Sequence, residues 1–538
     1  ADDWAAPTPV LTLNGYMRMR GELMDTFWLG RRALDDFLED SNTDNEHTVG
    51  QGPDPFSDFR PIERRRIPGT GRAPADLDCV DEDTNTDGTC DVSTLRFANL
   101  RLRLAPQLNL SEDVRVKMTF DVLDNAVAGD APVSYYGSGP APTFFAGTDV
   151  PPSDSIVARR AWAEVRSRDL GELRFGRMPQ EWGLGMVYNA AEGIDDDLST
   201  DLDRVLFVTK LFGLYVTASY DFIAEGISMP DGPTGGPLEQ SQLDDVDQLT
   251  FSVARRLTPE EAKSAHERGE LMLQGGLQLT IRNQDSVPFM RDDEELARIT
   301  EAEASVNTWD IWGQLRYRWL RLELEAAWRT GAMDRLALVE SGDDLELERA
   351  GGSVDIDALG YALETEIRLV DEKLGLYFDH GLATGDSSVD GLSWNTDYVS
   401  QLDGDDTIST FRFHPNYKVD MILWRNLMRQ VTGAYYFKPG ISYDFVRSDF
   451  GQLFGARLDF IWSRASTPLQ TWGNSENLGI ELNVSLYFQT EDGPDLSDGF
   501  HSLLQYGVLF PMRGLSYVHE DSDLDTAQNL RLLLGVKF

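Results

Sequence analysis

The chain has 538 residues, with 91 acidic against 48 basic side chains and a net charge of −43. An acidic excess of this size argues against nucleic acid as a partner. Mean hydropathy is −0.34, and no apolar run approaches the ~20 residues of a membrane helix, which excludes a helical membrane protein but not a transmembrane barrel, whose strands turn half their residues toward a polar lumen.

The numbering opens on ADDW without a charged-then-apolar leader, and the chain is read as mature after signal removal. From Val10, the run VLTLNGYMRMRGELM sets Leu11, Leu13, Gly15, Met17, Met19 and Leu23 on one face. Thr12, Asn14, Tyr16, Arg18, Arg20 and Glu22 occupy the other, a period of two that predicts a strand. A polar stretch over 26–92 follows and holds the two cysteines, Cys79 and Cys90. Next, Leu100, Leu102 and Leu104 alternate with Arg101 and Arg103. After the turn Ser111-Glu112-Asp113, the apolar Val114, Val116, Met118, Phe120 and Val122 alternate with Arg115, Lys117, Thr119 and Asp121.

The same rhythm predicts strands near 155–167, 171–177, 203–210, 213–222, 246–257, 270–283, 305–319, 321–330, 353–368, 373–384, 431–445, 450–462, 478–489, 500–510 and 527–538, about eighteen in all. Connections alternate between tight turns, such as Leu211 to Gly213 and Val370 to Lys373, and long polar loops. The stretch from Thr258 to Gly269 is the one longer turn, with a Thr-Pro-Glu-Glu helix start. A large soluble β-protein would share the face pattern. Strand length, alternating loop length and aromatics at strand ends (Trp319, Trp328, Tyr435, Tyr436, Phe437, Trp462, Tyr487, Phe488) favour membrane girdles instead. The expected fold is all-β: one transmembrane up-and-down antiparallel β-barrel over 1–538. Its turns and both termini are expected to be periplasmic and its long loops extracellular, the latter including 26–92 and 385–430. The last strand, AQNLRLLLGVKF, ends on Phe538 and resembles the closing strand of bacterial outer-membrane barrels, a resemblance that implies a place in the bacterial outer membrane.

About eighteen strands enclose more space than wall side chains fill. The polar parity of the first six strands is basic: Arg18, Arg20, Arg101, Arg103, Arg115, Lys117, Arg160, Arg166 and Arg174, then Arg204. Later strands are more acidic, with Asp221, Asp310, Asp357, Asp379 and Glu481. Either the arginines set a field across a polar passage, or acids of a loop neutralise them structurally, since unpaired like charges on adjacent strands destabilise a sheet.

Arg160-Ala161, Val165, Asp169, Gly171, Leu173 and Gly176-Arg177 resemble a motif of bacterial porins, in which the loop that follows folds into the lumen. The resemblance implies a constriction at 178–203, with Glu192, Asp195, Asp196, Asp197, Asp201 and Asp203 facing the arginines. LYFDHGLATGD (376–386) and LLQYGVLFP (503–511) resemble alginate-export barrels, which implies export of an anionic polysaccharide through an arginine-lined lumen. WGLGMVYNAAEG with DRVLFVTK, and FRFHPNYKVDMILWRNLMRQVTGAYYF, resemble barrels of myxobacteria and related bacteria that carry no established function.

Asp81, Asp83, Asn85 and Asp87 present oxygen ligands at a spacing of two inside a loop that Cys79 and Cys90 would close as a disulfide. The pattern resembles a calcium loop without its distal glutamate, and a solvated acidic loop is the alternative. Residues 223–247 and 386–410 lack Lys and Arg and are expected to be solvated loops. Tyr417 to Arg429 is expected to be a short amphipathic helix over or inside the barrel mouth. None of the six histidines falls in a Ser/His/Asp motif, so no enzyme is expected.

The composite expectation is a channel, a porin or export conduit, in contact with outer-membrane lipid and lipopolysaccharide. It would pass a small anionic solute or polysaccharide, with calcium the one candidate cofactor. The alternative is a barrel plugged by its own loops that anchors an envelope assembly.

Overall fold

The computed structural model describes residues 9–27, 29, 94–127, 156–223, 246–289, 298–341, 344–387, 407–448, 451–468, 471, 473–490, 499–516 and 524–538. Cys79, Cys90, Asp81, Asp83, Asn85 and Asp87 lie outside these residues, so the disulfide and calcium expectations fall outside the description.

The strands are β1 (Val10–Asp25), β2 (Thr94–Asn109), β3 (Val114–Val127), β4 (Ile156–Ser167), β5 (Gly171–Pro179), β6 (Asp201–Leu211), β7 (Leu214–Ile223), β8 (Val246–Arg255), β9 (Met272–Phe289) and β10 (Arg298–Tyr317). They continue with β11 (Leu320–Ser341), β12 (Asp344–Leu369), β13 (Leu374–Ala383), the two-residue β14 (Thr407–Ile408), β15 (Ala434–Arg447), β16 (Leu453–Ala465), β17 (Asn477–Gln489), β18 (Gly499–Pro511) and β19 (Ala527–Lys537). All but β14 form the wall. Each wall strand pairs antiparallel with its neighbours in sequence, β13 pairing β15, and β14 adds a parallel bridge to β12. The ring closes where β19 pairs β1, from Tyr16↔Lys537 to Asp25↔Gln528. The result is a closed eighteen-stranded barrel.

Closure removes every free strand edge, so a wall with an oily outside can sit in hydrocarbon with its backbone satisfied. The outside is oily: Leu322, Leu324 and Trp328, Tyr443 and Phe445, Leu458 and Phe460, Leu482, Val484 and Leu486, and Leu530 and Leu532 all project outward and are exposed. Alternation along each strand places polar partners inside, which makes this a transmembrane barrel. At the seam, Gly15 and Phe538 exchange both backbone hydrogen bonds (2.8 and 3.0 Å). A Cβ at Gly15 would lie 2.3 Å from the Arg103 carbonyl oxygen and 3.1 Å from the Phe538 ring, so only glycine lets the chain end close there.

Short turns share one rim with both ends of the wall. Phe212 and Gly213 both adopt left-handed φ (51° and 82°), as a two-residue hairpin turn requires. The longer β8–β9 connection carries α1 (Pro259–Glu267), whose expected start is a capping box: Thr258 Oγ1 accepts from Glu261 N at 3.2 Å, and the Glu261 carboxylate accepts from Thr258 N at 2.8 Å. Strands β9–β12 run 18, 20, 22 and 26 residues, past the ~9–11 a membrane strand needs, so this wall extends beyond the bilayer on the long-loop side.

Three expectations about facing need correction. Tyr436 is 1% exposed and Tyr487 hydrogen-bonds Asp444, so both point into the lumen and not into a girdle. Asp357 lies on the outer face, where its carboxylate accepts from Trp328 Nε1 at 2.6 Å. Tyr435, Phe437 and Trp462 do cluster outside, the last two stacked at 5.8 Å.

Candidate lumen constriction

The apolar core of this molecule is inside the barrel. Residues 180–200, between β5 and β6, turn inward, as do residues 409–433, between β14 and β15. Together they bury Trp182, Met186, Tyr188, Phe411, Phe413, Ile422, Trp424, Leu427 and Met428 against small inward wall residues such as Ala327, Ala358, Ala362 and Ala383. The expected helix over Tyr417–Arg429 is a single π-helical turn, Leu423–Leu427, sunk in this core.

The first segment is held by the arginine wall. Asp197 receives Arg18 at 2.8 Å, Arg20 at 2.6 Å and Arg101 at 3.2 Å. Asp195 binds Arg20 at 3.3 Å, Arg425 at 3.0 Å and Arg531 bidentately. Arg160 reaches Asp201 at 2.6 Å, Glu192 at 2.5 Å and the carbonyl of Ala190. Arg103 forks onto Asp121 (2.7 and 2.8 Å) and donates to the Ala191 carbonyl at 3.0 Å. Arg18, Arg20, Arg101, Arg103 and Arg160 are 0–5% exposed. These five therefore do not line a free passage. They neutralise the inserted loop, because buried charges persist only when paired and hydrogen-bonded. Asp203 is a further correction: it faces outward and pairs with Arg177 at 2.9 Å, its cross-strand neighbour.

Asp197 shows the balance of forces. Burial alone would raise its pKa, but Arg20, Arg18 and Arg101 together hold it well below the usual carboxylate range. Lys418, on the second segment, donates to Asp196 at 2.7 Å and to the Asp195 carbonyl at 2.5 Å. Burial, then Arg425, push it down to about 8 despite Asp196. His414 N–H donates to the Met186 carbonyl at 2.6 Å and Asn416 Nδ2 to Asn189 at 2.9 Å, so the two segments form one body. Burial lowers the His414 side chain to about 4, which keeps it neutral at physiological pH.

Two wall glutamates anchor the segments by their backbones. Glu325 accepts from the N–H groups of Leu184, Met186 and Val187 at 2.5, 3.2 and 3.2 Å. Gly183 takes φ +56° beside it, where a Cβ would lie 2.5 Å from the carboxylate. Glu481 does the same for Met421, Ile422 and Leu423 at 2.8, 3.0 and 3.0 Å. A cluster of convergent amides is an anion site, and here the anion comes from the wall. Asp420 lies against Glu481 and is pushed well above its usual range, by burial first and by Glu481 second.

Toward the turn rim the remaining predicted cations stay partly open. Among the described residues, Arg115, Lys117, Arg166 and Arg174 share only Glu164 and Glu172, at 2.6, 3.2, 2.8 and 2.6 Å. Their side chains are 30–53% exposed. Nine strands away, half the ring, a second network centres on β13: Arg321, Arg368, Lys438 and Arg457 pair among Glu323, Glu364, Glu366, Asp379, Asp444 and Asp459. Four cations share two carboxylates in the first network; in the second, where Arg447 also pairs with Asp444 at 2.9 Å, five cations meet six carboxylates.

Sequence reasoning missed several residues of the constriction. Arg531 was legible, since it shares the inward parity of the closing strand. Arg159 was not: a bulge at Thr119/Phe120 lets both Arg159 and Arg160 reach inward, with Arg159 binding Asp121 and Asp124. Lys418 and Arg425 carry no periodic signal.

No family model matches the chain and no curated relative does, so the alginate-export and myxobacterial resemblances rest on the residues quoted for them. Among solved structures the chain is similar to Pseudomonas aeruginosa OpdK with vanillate (12% identity over 98% of both chains, TM-score 0.43) and to P. aeruginosa OccK8, OprE (10%, 98% of both, 0.43). It is also similar to OmpT, an outer membrane protein of Vibrio cholerae (8%, 100% of both, 0.36). The barrel itself is established by its own ladder, which closes from β19 to β1.

Proposed function

We propose that the chain is a bacterial outer-membrane channel for small solutes, constricted by its two inward segments, with an anion preference set on the turn side. Lipid and lipopolysaccharide surround the wall, and both termini and the short turns face the periplasm. The carrying observation is the set of half-exposed cations Arg115, Lys117, Arg166 and Arg174 against only two carboxylates, facing an acid-rich wall half a turn away. A small anion, and not a polysaccharide chain, is the favoured cargo because two tied segments cross the lumen. Reconstituted in a planar bilayer, the protein should conduct, pass chloride more readily than potassium at low salt, and lose that preference near 1 M, where screening shortens to ~3 Å. Cation preference at low salt would refute the reading. The ties between the segments favour a second reading, a plugged anchoring barrel, which predicts no conductance until a segment is freed.

A further inference from the structure

Between the start of the first inserted segment and the inner face of β5–β9 lies a cavity of about 560 Å3, reaching Leu257 and Thr258 at the turn-side foot of β8. Most charges around it are matched: Arg174 by Glu172 at 2.6 Å, Arg204 by Asp221 at 2.6 Å, Glu192 by Arg160 at 2.5 Å. Arg256 and Glu181, both lining it, form no hydrogen bond or ion pair with any described residue. The Arg256 guanidinium lies over the rings of Trp312 and Trp182, 5.2 and 5.7 Å from their centroids, so its position is fixed while its N–H fork stays unengaged. Gln180, Gln278 and Ser219 also line it, each at most 5% exposed, with Gln180 Nε2, Gln278 Nε2 and Ser219 Oγ sealed beneath its surface.

We propose that this cavity is a binding subsite for a small zwitterion of amino-acid to dipeptide size, its carboxylate on Arg256 and its ammonium on Glu181. A monoanion would leave Glu181 unmatched beside it and a monocation would leave Arg256 unmatched, so a dipolar guest satisfies both. The volume lies within the ~300–1,000 Å3 of small-molecule sites. Glu181 and Arg256 are both exposed to the cavity, so a guest meets their charged atoms directly. The inference rests on the channel reading for the supply of solute.

The test is calorimetric titration of the detergent-solubilised full chain with glycylglycine, alongside acetate and ethylammonium, with bilayer conductance measured on the same preparation. Glycylglycine should bind at least about tenfold more tightly than either singly charged probe, and Arg256→Gln and Glu181→Gln should each weaken it by about tenfold or more, the scale of one charged hydrogen bond. Heat-shifted gel migration reports whether each variant keeps its barrel, and Glu181→Gln, on the loop, leaves the wall untouched if Arg256→Gln does not fold. Equal affinity for acetate, unchanged affinity in a folded variant, or no binding by a conducting wild type overturns the subsite. Binding by a barrel that does not conduct leaves the subsite standing and overturns the channel.

Discussion

Asp197→Asn isolates what holds the constriction in place. The carboxylate accepts from Arg18 and Arg20 at 2.8 and 2.6 Å and forms an ion pair with Arg101 at 3.2 Å, and those three guanidiniums are nearly or fully buried. Asparagine keeps the shape and one acceptor but turns an amide N–H2 toward cations. Breaking a buried charge cluster in this way costs about 3–5 kcal/mol, so ~4 kcal/mol shifts the balance between docked and lifted loop by nearly a thousandfold. The Asp195, Asp196, Asp201 and Glu325 ties remain, so the segment should loosen locally around position 197 without loss of the barrel. In single-channel recordings the variant should show larger mean conductance and more gating noise, with unchanged heat-shifted migration. Acid gives the companion result. The docked Asp197 carboxyl lies well below its ordinary range, so its contribution to docking is complete above ~3.9 and is lost only as pH falls through the lowered docked value. Wild type should therefore open only below the ordinary carboxylate range, and the variant should lack that step. A folded Asp197→Asn barrel with wild-type conductance and noise would refute the docking role.

Charge reversal should now be read at two heights. Arg101→Glu with Arg103→Glu sets carboxylates against Asp121, Asp124 and Asp197 and should abolish heat-shifted migration, whereas Arg166→Glu with Arg174→Glu, partly open, should fold and shift the chloride/potassium permeability ratio toward potassium by severalfold at 0.1 M salt. Glu481→Gln replaces a carboxylate acceptor of three amides with a neutral one, and should lower barrel stability against heat by roughly 1.5–3 kcal/mol while increasing protease access to residues 409–433. His414→Gln should leave conductance unchanged between pH 5 and 8, because the native imidazole is already neutral there.

The wall was legible from period-two patterning because each strand must present lipid on one side and polar contents on the other. Met17 and Met19 against Arg18 and Arg20 carry that rule without tertiary help. The loop acids were legible as partners for the arginines because a basic wall of that density needs counter-charge. Their division of labour was not. Which arginines are sealed depends on how far residues 180–200 and 409–433 descend, depths fixed by Glu325 and Glu481 respectively, two carboxylates indistinguishable in sequence from any other inward acid. Asp203 was misplaced because it falls on the odd parity of β6, with Val205 and Phe207, and that parity faces lipid. The lengths of β9–β12 were underestimated because the oily alternation ends at the bilayer while the ladder continues.

The line where β19 meets β1 joins residues at opposite ends of the chain, so it has the highest sequence separation in the wall. Asp195 crosses that line from within, holding Arg531 on β19 and Arg20 on β1, while Glu22 on β1 bonds Arg531 at 3.2 Å. The inserted segment thus works as an internal strap over the joint between the first and last wall strands. Arg531 sits on β19, the strand that closes the ring against β1, so the strap cannot fasten until that strand is in place. A chain that stalls before its last strand is left with both an open edge and an unfastened loop, and only a completed cylinder acquires its constriction.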